Sequence, residues 1–568
     1  MKLLSFAITL FLLATTAYGK TEPLVFTKDH SQTAMEIIET LSSKHYKKQL
    51  VDDNFSSRLL DSYFDALDPV KVYFLQSDIK GFEASRYSFD EALAAGDLAQ
   101  AFVIFNLFRE RITERLESNV ALLEGDFSFD FSLEETINLD RDSRTWMASQ
   151  AETDDYWRKR MKDSLLRLVL SGKEPEAARE LLRKRYANQI KQLARQDADD
   201  AVQGFINVVA GIYDPHTSYL APRTLENFNI SMSLSLEGIG AVLQLEDEFT
   251  KIVRIVPGGP ADQQGSLAAE DKIIGVAQDD DAMVDLIRGK KDSRVRLEII
   301  PGTSEGGDKT TVVSIIRDKV KLEEQAAKSE VIELQQGDQK FRAGVITVPA
   351  FYMDFEAYRK RDPNFKSTSR DVMKLIIDLK KDGVDGIILD LRNNGGGSLY
   401  EATSLTDLFI HPGPVVQIRH ADQHVSREQR ARQRPFYDGP LMVLINRLSA
   451  SASEIFAGAI QDYGRGLVVG TTSFGKGTVQ VLAPLKQGRL KLTESKFYRV
   501  SGQSTQHRGV VPDIRFPSYF DLEEVGESSQ DNALPWDSIR EVRHRLYEDF
   551  DPLLTLLRTE HQQRVATD

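Results

Sequence analysis

Apolar residues recur every three or four positions from residue 20 to about residue 227, which is the spacing typical of amphipathic helices. Two such faces consist of Phe105, Phe108, Ile112 and Leu116, and of Phe205, Val208, Val209 and Ile212. Asp-Pro pairs at positions 68–69 and 214–215 mark helix ends. We therefore predict a helical N-terminal domain over residues 20–230.

The pattern changes to that of β-strands between residues 231 and 318. Short apolar runs at 252–256, 271–276 and 295–299 predict strands, and Asp281–Arg288 predicts a short helix. The loop Gly238-Ile239-Gly240 leads into the first strand of this region. Its backbone N–H groups can converge on the terminal carboxylate of a peptide that adds as an extra strand. The alternative is a generic small β domain with a glycine turn.

Strands and helices alternate between residues 319 and 516, which predicts an α/β core. The strand Gly386–Leu391 is apolar enough to be buried on both faces. It is followed by Gly395-Gly396-Gly397, a loop without side chains that can aim a backbone N–H at a substrate oxygen.

The last segment, residues 517–568, is acidic and polar at its start and then takes a helical pattern. We predict a helix from Trp536 to Arg564 and interpret the segment as a helical C-terminal tail. The fold class predicted from the whole pattern is thus multidomain α+β.

The overall charge argues against nucleic acid as the main partner. The 568 residues carry a formal net charge of −14, and the pI is about 5.3. The chain has no cysteine, which excludes disulfides, thiol catalysis and thiolate metal sites.

Residues 1–19 resemble a signal peptide. Lys2 supplies a positive start, Leu3–Leu13 is apolar but short for a membrane span, and Ala17-Tyr18-Gly19 offers small residues for cleavage before Lys20. An uncleaved membrane anchor is the alternative. We expect an exported protein without an integral membrane segment in its mature chain, located in the periplasm if its source is a Gram-negative bacterium.

Candidate chemistry lies at a serine-rich corner. The apolar run Leu441–Ile445 predicts a strand, and Ile455–Ile460 predicts a helix. Between them stand Ser449, Ser451 and Ser453. A serine at a strand-to-helix corner stands next to the unpaired N–H groups of the helix, which can stabilise an oxyanion. A flexible turn with an N-cap serine is the structural alternative, and spacing alone does not choose among the three serines.

A candidate base lies in Gly475-Lys476-Gly477. Flanking glycines allow close backbone packing that excludes water, and a desolvated lysine can lose its proton near neutral pH. A neutral lysine amine can then activate a serine hydroxyl in place of histidine. His216, in a turn, is the other tempting residue, but a histidine there is more often a hydrogen-bonded structural group.

The assembled motifs resemble those of the carboxyl-terminal processing peptidases, and within that family the members from Gram-negative bacteria. The most specific stretches are 390–397, 449–454, 461–464 and 474–480. The resemblance implies Ser451 as the nucleophile, Lys476 as the general base 25 residues later, and Gln480 as the residue that orients the lysine. It also implies an oxyanion hole at Ala452 and Gly397, less firmly Gly396, and a supporting role for Asp462.

The resemblance implies a crotonase/ClpP-like α/β core with a Ser-Lys dyad over residues 319–516 and a PDZ domain over residues 231–318. The implied activity is that of a serine endopeptidase that processes or degrades proteins through exposed apolar C-terminal tails. A helical-repeat lipoprotein adaptor is an implied partner, and no metal or other cofactor is implied. The chain departs from the family between Val276 and Asp281, where it is shorter, and in its shorter C-terminal segment.

Two other classes of function share some of these features. A catalytically inactive PDZ scaffold would keep the fold without a working dyad. A crotonase-like enzyme acting on acyl thioesters is disfavoured by the signal peptide, by the PDZ-like segment and by the lack of an acidic catalytic pair at the glycine loop.

Overall fold

The computed structural model describes residues 22–125, 128–141, 143–246, 249–276, 287–303, 310–430 and 434–567. The predicted signal peptide, and all but the end of the predicted helix Asp281–Arg288, lie outside these ranges. The chain forms two compact units. One contains the residues up to Met35 together with Val51–Val208, and the other contains Glu36–Leu50 and Val209 onwards.

The first unit is built from helices, as their apolar spacing predicted. Helix α1 (Lys28–Lys44) runs from the first unit into the second, and α8 (Ala198–Gly211) does the same near its end. Trp157 anchors the core of the first unit, where its indole N–H donates to the carbonyl of Val72 at 3.2 Å. The other helices of this part are α2 (Asp53–Leu67), α3 (Gln76–Gly81), a 3-10 turn (Glu83–Ser85), α4 (Phe89–Ala95), α5 (Ala99–Glu124), α6 (Gln150–Leu170) and α7 (Pro175–Ala194).

No single helix within the described ranges combines the length and apolar character needed to cross a membrane. The pair α4 and α5, bent by 111° at the break between them, meets that criterion only when the two helices are taken together.

The centre of the second unit is a six-stranded sheet in the order β18-β15-β14-β11-β10-β9. Its strands are parallel except for β9, which pairs antiparallel with β10. Such a sheet is covered on its faces, and its apolar strands supply a core with the packed helices. The strands are β9 (Lys328–Gln336), β10 (Gln339–Thr347), β11 (Gly386–Asp390), β14 (Leu441–Ile445), β15 (Leu467–Gly470) and β18 (Ile514–Arg515).

The helices of this core follow the strands in sequence. They are α11 (Phe355–Arg359), α12 (Thr368–Lys381), α13 (Leu399–Thr406) and α14 (Ala452–Asp462). In α12, Val372, Ile376 and Leu379 repeat at helical spacing and are fully buried. The strand–helix alternation predicted for residues 319–516 is thus present, with element ends shifted by a few residues.

A second sheet carries the segment that follows Lys476. It has the order β1-β17-β12-β13, and β16 also pairs with β17. Its strands are β1 (Ser218–Leu220), β12 (Gly413–His420), β13 (Val425–Arg430), β16 (Thr478–Pro484) and β17 (Arg489–Tyr498). Helix α9 (Pro222–Ser233) follows β1.

A separate small sheet lies within residues 241–316. Its five strands pair in sequence order, all antiparallel, and Ile252, Leu297 and Ile315 are buried in its core. The strands are β3 (Ala241–Glu246), β4 (Phe249–Ile255), β5 (Lys272–Val276), β6 (Arg294–Ile300) and β7 (Thr311–Ile316). Helix α10 (Pro260–Gln264) lies between β4 and β5. Two further strands, β2 (Ser235–Gly238) and β8 (Asp318–Lys321), precede and follow these five in sequence and pair with each other. A 3-10 turn (Glu323–Gln325) comes after β8.

The predicted helix Trp536–Arg564 is wrong in its first half. The helix is α15 (Asp551–Thr567), and residues 536–550 run without regular structure. Backbone N–H groups in this stretch bond to the core instead of to their own turn: Ile539 donates to Gly502, Val542 to Val500, and Tyr547 to Tyr463. Upstream, Glu527–Ser529 forms a 3-10 turn.

Candidate active site

Ser451 occupies the corner between strand β14 and helix α14. Its backbone has φ 56° and ψ −110°, a conformation that residues with a Cβ rarely adopt. Such a residue costs roughly 1–3 kcal/mol and persists only where its surroundings fix it. Ala452 is the first residue of the helix, so its N–H belongs to the group of helix donors that lack an intrahelical partner.

Burial separates the three serines. Ser449 is fully buried, and its hydroxyl donates to the carbonyl of Leu391 at 2.8 Å. Ser453 is also fully buried and donates to the carbonyl of Asn394 at 2.9 Å. Ser451 is half-buried. The outer two hydroxyls therefore hold the corner together, and the middle one is the hydroxyl that a substrate can reach.

The glycine loop lies against this corner. A Cβ built on Gly396 would stand 2.9 Å from the Cβ of Ser451 and 3.2 Å from the nitrogen of Ala452. The φ of Gly396 is 105° and that of Gly397 is 142°, so both positions favour glycine. The N–H of Gly396 donates to Asn394 Oδ1 at 2.9 Å. The exposed Gly397 is therefore the better placed of the two to offer an N–H to an oxyanion.

Asn394 joins the loop to the corner. Its carbonyl accepts the N–H of Ala450 at 3.0 Å and the hydroxyl of Ser453 at 2.9 Å. Its side-chain amide donates to the carbonyl of Val348 at 2.8 Å. This fully buried asparagine was not singled out from the sequence, where it reads as one of two asparagines before the glycines.

Lys476 lies in an extended segment just before β16. Gly477 packs so tightly that a Cβ there would stand 2.7 Å from Ser504 Oγ, and Gly475 has φ 97°. Burial lowers the pKa of Lys476 to about 8, and the positive charge of Lys491 adds to the effect. The carboxylates of Glu527, Asp214 and Glu454 act in the opposite direction.

Glu454 connects the two halves of the site. Its Oε2 accepts the backbone N–H of Ser451 at 2.7 Å and that of Lys476 at 3.0 Å. Its Oε1 accepts the Ser473 hydroxyl at 2.6 Å and the Gly475 N–H at 2.7 Å. Burial raises the pKa of this carboxyl to about 7 against the lowering effect of these donors.

This role of Glu454 was not predicted from the sequence. Glu454 stands three residues after Ser451, which is the spacing of a capping box, and that pattern was the available signal.

Gln480 lies beyond Lys476 on β16. Its amide nitrogen donates to the hydroxyls of Thr478 at 2.9 Å and Thr493 at 3.0 Å. No hydrogen bond joins Gln480 to the Lys476 amine among the described residues. The amide oxygen of Gln480 takes no part in these two hydrogen bonds.

Three family models match the chain: the tail-specific protease N-terminal domain at residues 37–223, peptidase family S41 at 342–516, and the C-terminal domain of tail-specific protease at 520–568. The chain is 39% identical over 566 residues to the tail-specific protease of Haemophilus influenzae, covering 95% of this chain and 78% of that protein. This chain belongs to the tail-specific proteases of peptidase family S41.

Other relatives match a smaller part of this chain. A carboxy-terminal-processing protease of Bartonella bacilliformis is 34% identical over 325 residues, with 56% of this chain and 70% of that protein covered. The solved PDZ domain of a carboxy-terminal protease from Vibrio cholerae, in complex with a peptide, is 46% identical over 16% of this chain and 100% of its own, with a TM-score of 0.14.

Asp462 stands at the end of helix α14 opposite to Ser451. Eleven residues at 1.5 Å each place the two ends about 16 Å apart. Its carboxylate pairs with the guanidinium of Arg499 at 2.5 and 3.0 Å. In this tail-specific protease Asp462 therefore fixes the far end of the helix and does not approach the reacting atoms.

His216 is a structural group, as the sequence favoured. Its Nε2 lies 2.8 Å from Oε2 of the fully buried Glu527. The other oxygen of Glu527 accepts from the amide of Gln506 at 2.7 Å, and Gln506 in turn accepts the N–H of Gly477 at 2.7 Å. His216 and Glu527, which lie outside the S41 match, are thus connected through Gln506 to the backbone next to Lys476.

The loop Gly238-Ile239-Gly240 joins β2 to β3 in the tail-specific protease. Ile239 is buried in the core of the small sheet, and the carbonyls of Ile239 and Gly240 accept N–H groups from Ala261 and Val256. The loop is therefore fixed through its carbonyls. The predicted helix that would face it lies almost wholly outside the described residues.

No cluster of three or more histidine or acidic side chains suited to a metal ion occurs in the described part of the tail-specific protease.

Proposed function

We propose that this tail-specific protease is an exported, periplasmic endopeptidase with a Ser451–Lys476 dyad. The observation that carries the proposal is the shared carboxylate of Glu454, which accepts the backbone N–H of both residues. Residues 25 positions apart in sequence are thereby held at one place. Ser451 is half-buried and not enclosed like Ser449 and Ser453, which suits a nucleophile, and the lowered pKa of Lys476 suits a base.

The chemistry proceeds in two stages. In the first, the neutral Lys476 amine takes the proton from the Ser451 hydroxyl as its oxygen attacks a peptide carbonyl, and the N–H groups of Ala452 and Gly397 stabilise the oxyanion. The resulting ammonium group gives the proton to the leaving amine. In the second, water hydrolyses the acyl-enzyme with Lys476 again as base. Gln480 orients the lysine as a neutral amide, which does not favour the charged form of its amine as a carboxylate would.

Substrate capture belongs to the small β domain. Its sheet, with the Gly238-Ile239-Gly240 loop at the start of β3, supports a PDZ function in which the loop N–H groups hold the carboxylate of an apolar C-terminal tail. We assign the protease core to the crotonase/ClpP-like type because of the order of its strands and helices. Export to the periplasm rests on the signal-peptide pattern of residues 1–19.

The test compares cleavage of an unfolded reporter, with and without an apolar C-terminal tail, and labelling by a fluorophosphonate probe. Ser451→Ala and Lys476→Ala should each abolish cleavage but should bind the tailed reporter as the wild-type chain does. Removal of the tail from the reporter should weaken its binding. Ser449→Ala and Ser453→Ala are the matched controls, and we expect them to lower thermal stability while keeping the Ser451 label. Unchanged cleavage in Ser451→Ala or Lys476→Ala would refute the dyad.

The same experiment decides the alternative of an inactive PDZ scaffold. A scaffold would bind the tailed reporter in the wild-type chain but neither cleave it nor react with the probe.

A further inference from the structure

Lys491 is a partly buried lysine on β17, the strand that pairs with the one following Lys476. It lies on β17, opposite Leu482 of β16, and the next pairs in the register are Leu492 with Val481 and Thr493 with Gln480. Successive side chains of a strand point to opposite faces, so Lys491 shares the face of Thr493. The side chains of Thr493, Gln480 and Thr478 are hydrogen-bonded to one another on that face.

Side-chain alternation along the extended chain assigns Lys476 to this face as well. Lys476 lies two residues before Thr478 in an extended segment, and the residue after it is fixed by the carbonyl of Gly477 accepting the N–H of Phe497 at 2.9 Å. The ammonium group of Lys491 and the amine of Lys476 therefore stand on one side of the same two strands.

Asp214 is the carboxylate that acts on Lys491. The N–H of Thr493 donates to Thr217 Oγ1 at 3.1 Å, and that hydroxyl lies 3.2 Å from Asp214 Oδ2. Ser218, next in sequence to Thr217, pairs directly with Lys491. Burial lowers the pKa of Lys491, and the negative charge of Asp214 opposes this by favouring the protonated form.

The charges that face Lys476 are of both signs. Lys491 lowers the pKa of Lys476, in second place after burial itself, whereas Glu527, Asp214 and Glu454 raise it. Two of these carboxylates have their own partners, since His216 contacts Glu527 at 2.8 Å and His45 contacts Asp214 at 2.9 Å. Lys491 is the cation among the groups that act on the base.

We propose that Lys491 is a positioning residue of the reaction: its ammonium group keeps the amine of Lys476 unprotonated and ready to take the proton of Ser451. An amine next to a second cationic group is a known route to a basic nitrogen that is neutral near physiological pH. This inference rests on the proposed dyad and adds to it the group that sets its working pH.

The experiment measures kcat/KM on the unfolded reporter, and the rate of fluorophosphonate labelling of Ser451, from pH 6 to pH 10. Lys491→Met should move the acidic limb of both profiles about one unit to higher pH, which lowers both rates roughly tenfold at pH 7 and leaves them near wild-type at pH 10. Lys491→Arg keeps the charge and should keep the limb in place. Lys486→Met, which removes an exposed lysine five residues earlier, is the control for net charge.

The outcomes separate the inference from the proposed function. If Lys491→Met lowers both rates equally at every pH, or leaves the acidic limb in place, the role of Lys491 is overturned. The proposed dyad still stands in that case as long as Lys476→Ala is inactive. A limb that moves with the reporter but not with the small probe assigns Lys491 to substrate contact and also overturns the inference. Labelling of Lys476→Ala at the wild-type rate refutes the dyad itself. If Lys491→Met does not fold, Lys491→Gln and Lys491→Arg give the same comparison of neutral and charged side chains.

Discussion

The backbone N–H of Ser451 and the backbone N–H of Lys476 donate to one oxygen atom, Oε2 of Glu454, at 2.7 and 3.0 Å. The carboxylate belongs to the first turn of α14, so the helix that begins after Ser451 also fixes the segment that carries Lys476. A hydrogen bond from an N–H to a buried charge is among the stronger kinds in proteins. The geometry of the proposed dyad thus depends on a residue that has no part in the proposed chemistry.

Glu454→Gln should impair both stability and catalysis. The amide keeps one acceptor oxygen but turns an NH2 group toward N–H donors, leaving buried donors without acceptors at a cost of about 1–3 kcal/mol in the free energy of unfolding. Because the lost contacts include those to Ser451 and Lys476, we expect kcat to fall by at least about tenfold while KM changes little. Chemical denaturation and steady-state kinetics measure the two effects.

A second buried carboxyl provides the control for Glu454. Glu401 is fully buried on α13 and accepts the N–H of Ser369 at 2.7 Å. Within the described residues no hydrogen bond joins its side chain to Ser451 or to Lys476. Glu401→Gln should leave kcat near the wild-type value. Equal loss of kcat in both variants would mean that Glu454 acts only through general stability.

The pH dependence of stability follows from the lowered pKa of Lys476. Its folded value, about 8, lies below the unfolded value of 10.5, so the neutral form is favoured by folding. This contribution is present above pH 10.5 and is lost as the pH falls toward 8. Lys476→Met removes the titrating group. Its free energy of unfolding relative to wild-type should rise by about 3 kcal/mol as the pH falls from above 10.5 to below 8, and should stay constant at lower pH. A difference independent of pH would show that Lys476 titrates normally.

The positions of Ser451 and Lys476 could be predicted from the sequence. The strand-to-helix corner at Ser451 and the glycines on both sides of Lys476 depend on local backbone conformation. Strand, turn and helix patterns in the sequence therefore locate them. Spacing in the sequence does not choose among the three serines, because burial is a tertiary property. In the fold Ser449 and Ser453 are fully buried and hydrogen-bonded, which favours Ser451 as the proposed nucleophile.

Long-range contacts account for what was missed. Asn394 and Glu454 act through hydrogen bonds to segments remote in sequence, and no local pattern distinguishes such residues from ordinary loop and cap residues. The same cause explains the incorrect start of the C-terminal helix, since backbone bonds such as Ile539 to Gly502 compete with helix formation only in the folded chain. Strand β7 was also not predicted, although Val313 and Ile315 alternate inward.

Gly396→Ala should abolish most activity. The new methyl group would stand 2.9 Å from Ser451 Cβ and from the carbonyl of Ala450, and φ 105° is strained for alanine. Displacing the nucleophile by even part of an ångström lowers kcat, and we expect a loss of about 100-fold. Gly395→Ala is the matched control, since nothing lies within 4 Å of its Cβ position and that residue is exposed. Comparable kcat values for the two variants would contradict a close fit of Gly396 against the corner.

Asp462→Asn should lower stability without altering the chemistry of folded molecules. The side chains of Asp462 and Arg499 are 10% and 17% exposed, so the amide leaves a mostly buried guanidinium without its charge partner. Breaking one side of such a pair costs about 2–3 kcal/mol once partial exposure is taken into account. The site is about 16 Å away along α14, so kcat per folded molecule should stay within about twofold of wild-type when measured well below the melting temperature. Active-site titration with the fluorophosphonate probe counts the competent molecules. A full count of labelled Ser451 with a tenfold lower kcat would instead place Asp462 in the machinery of the reaction.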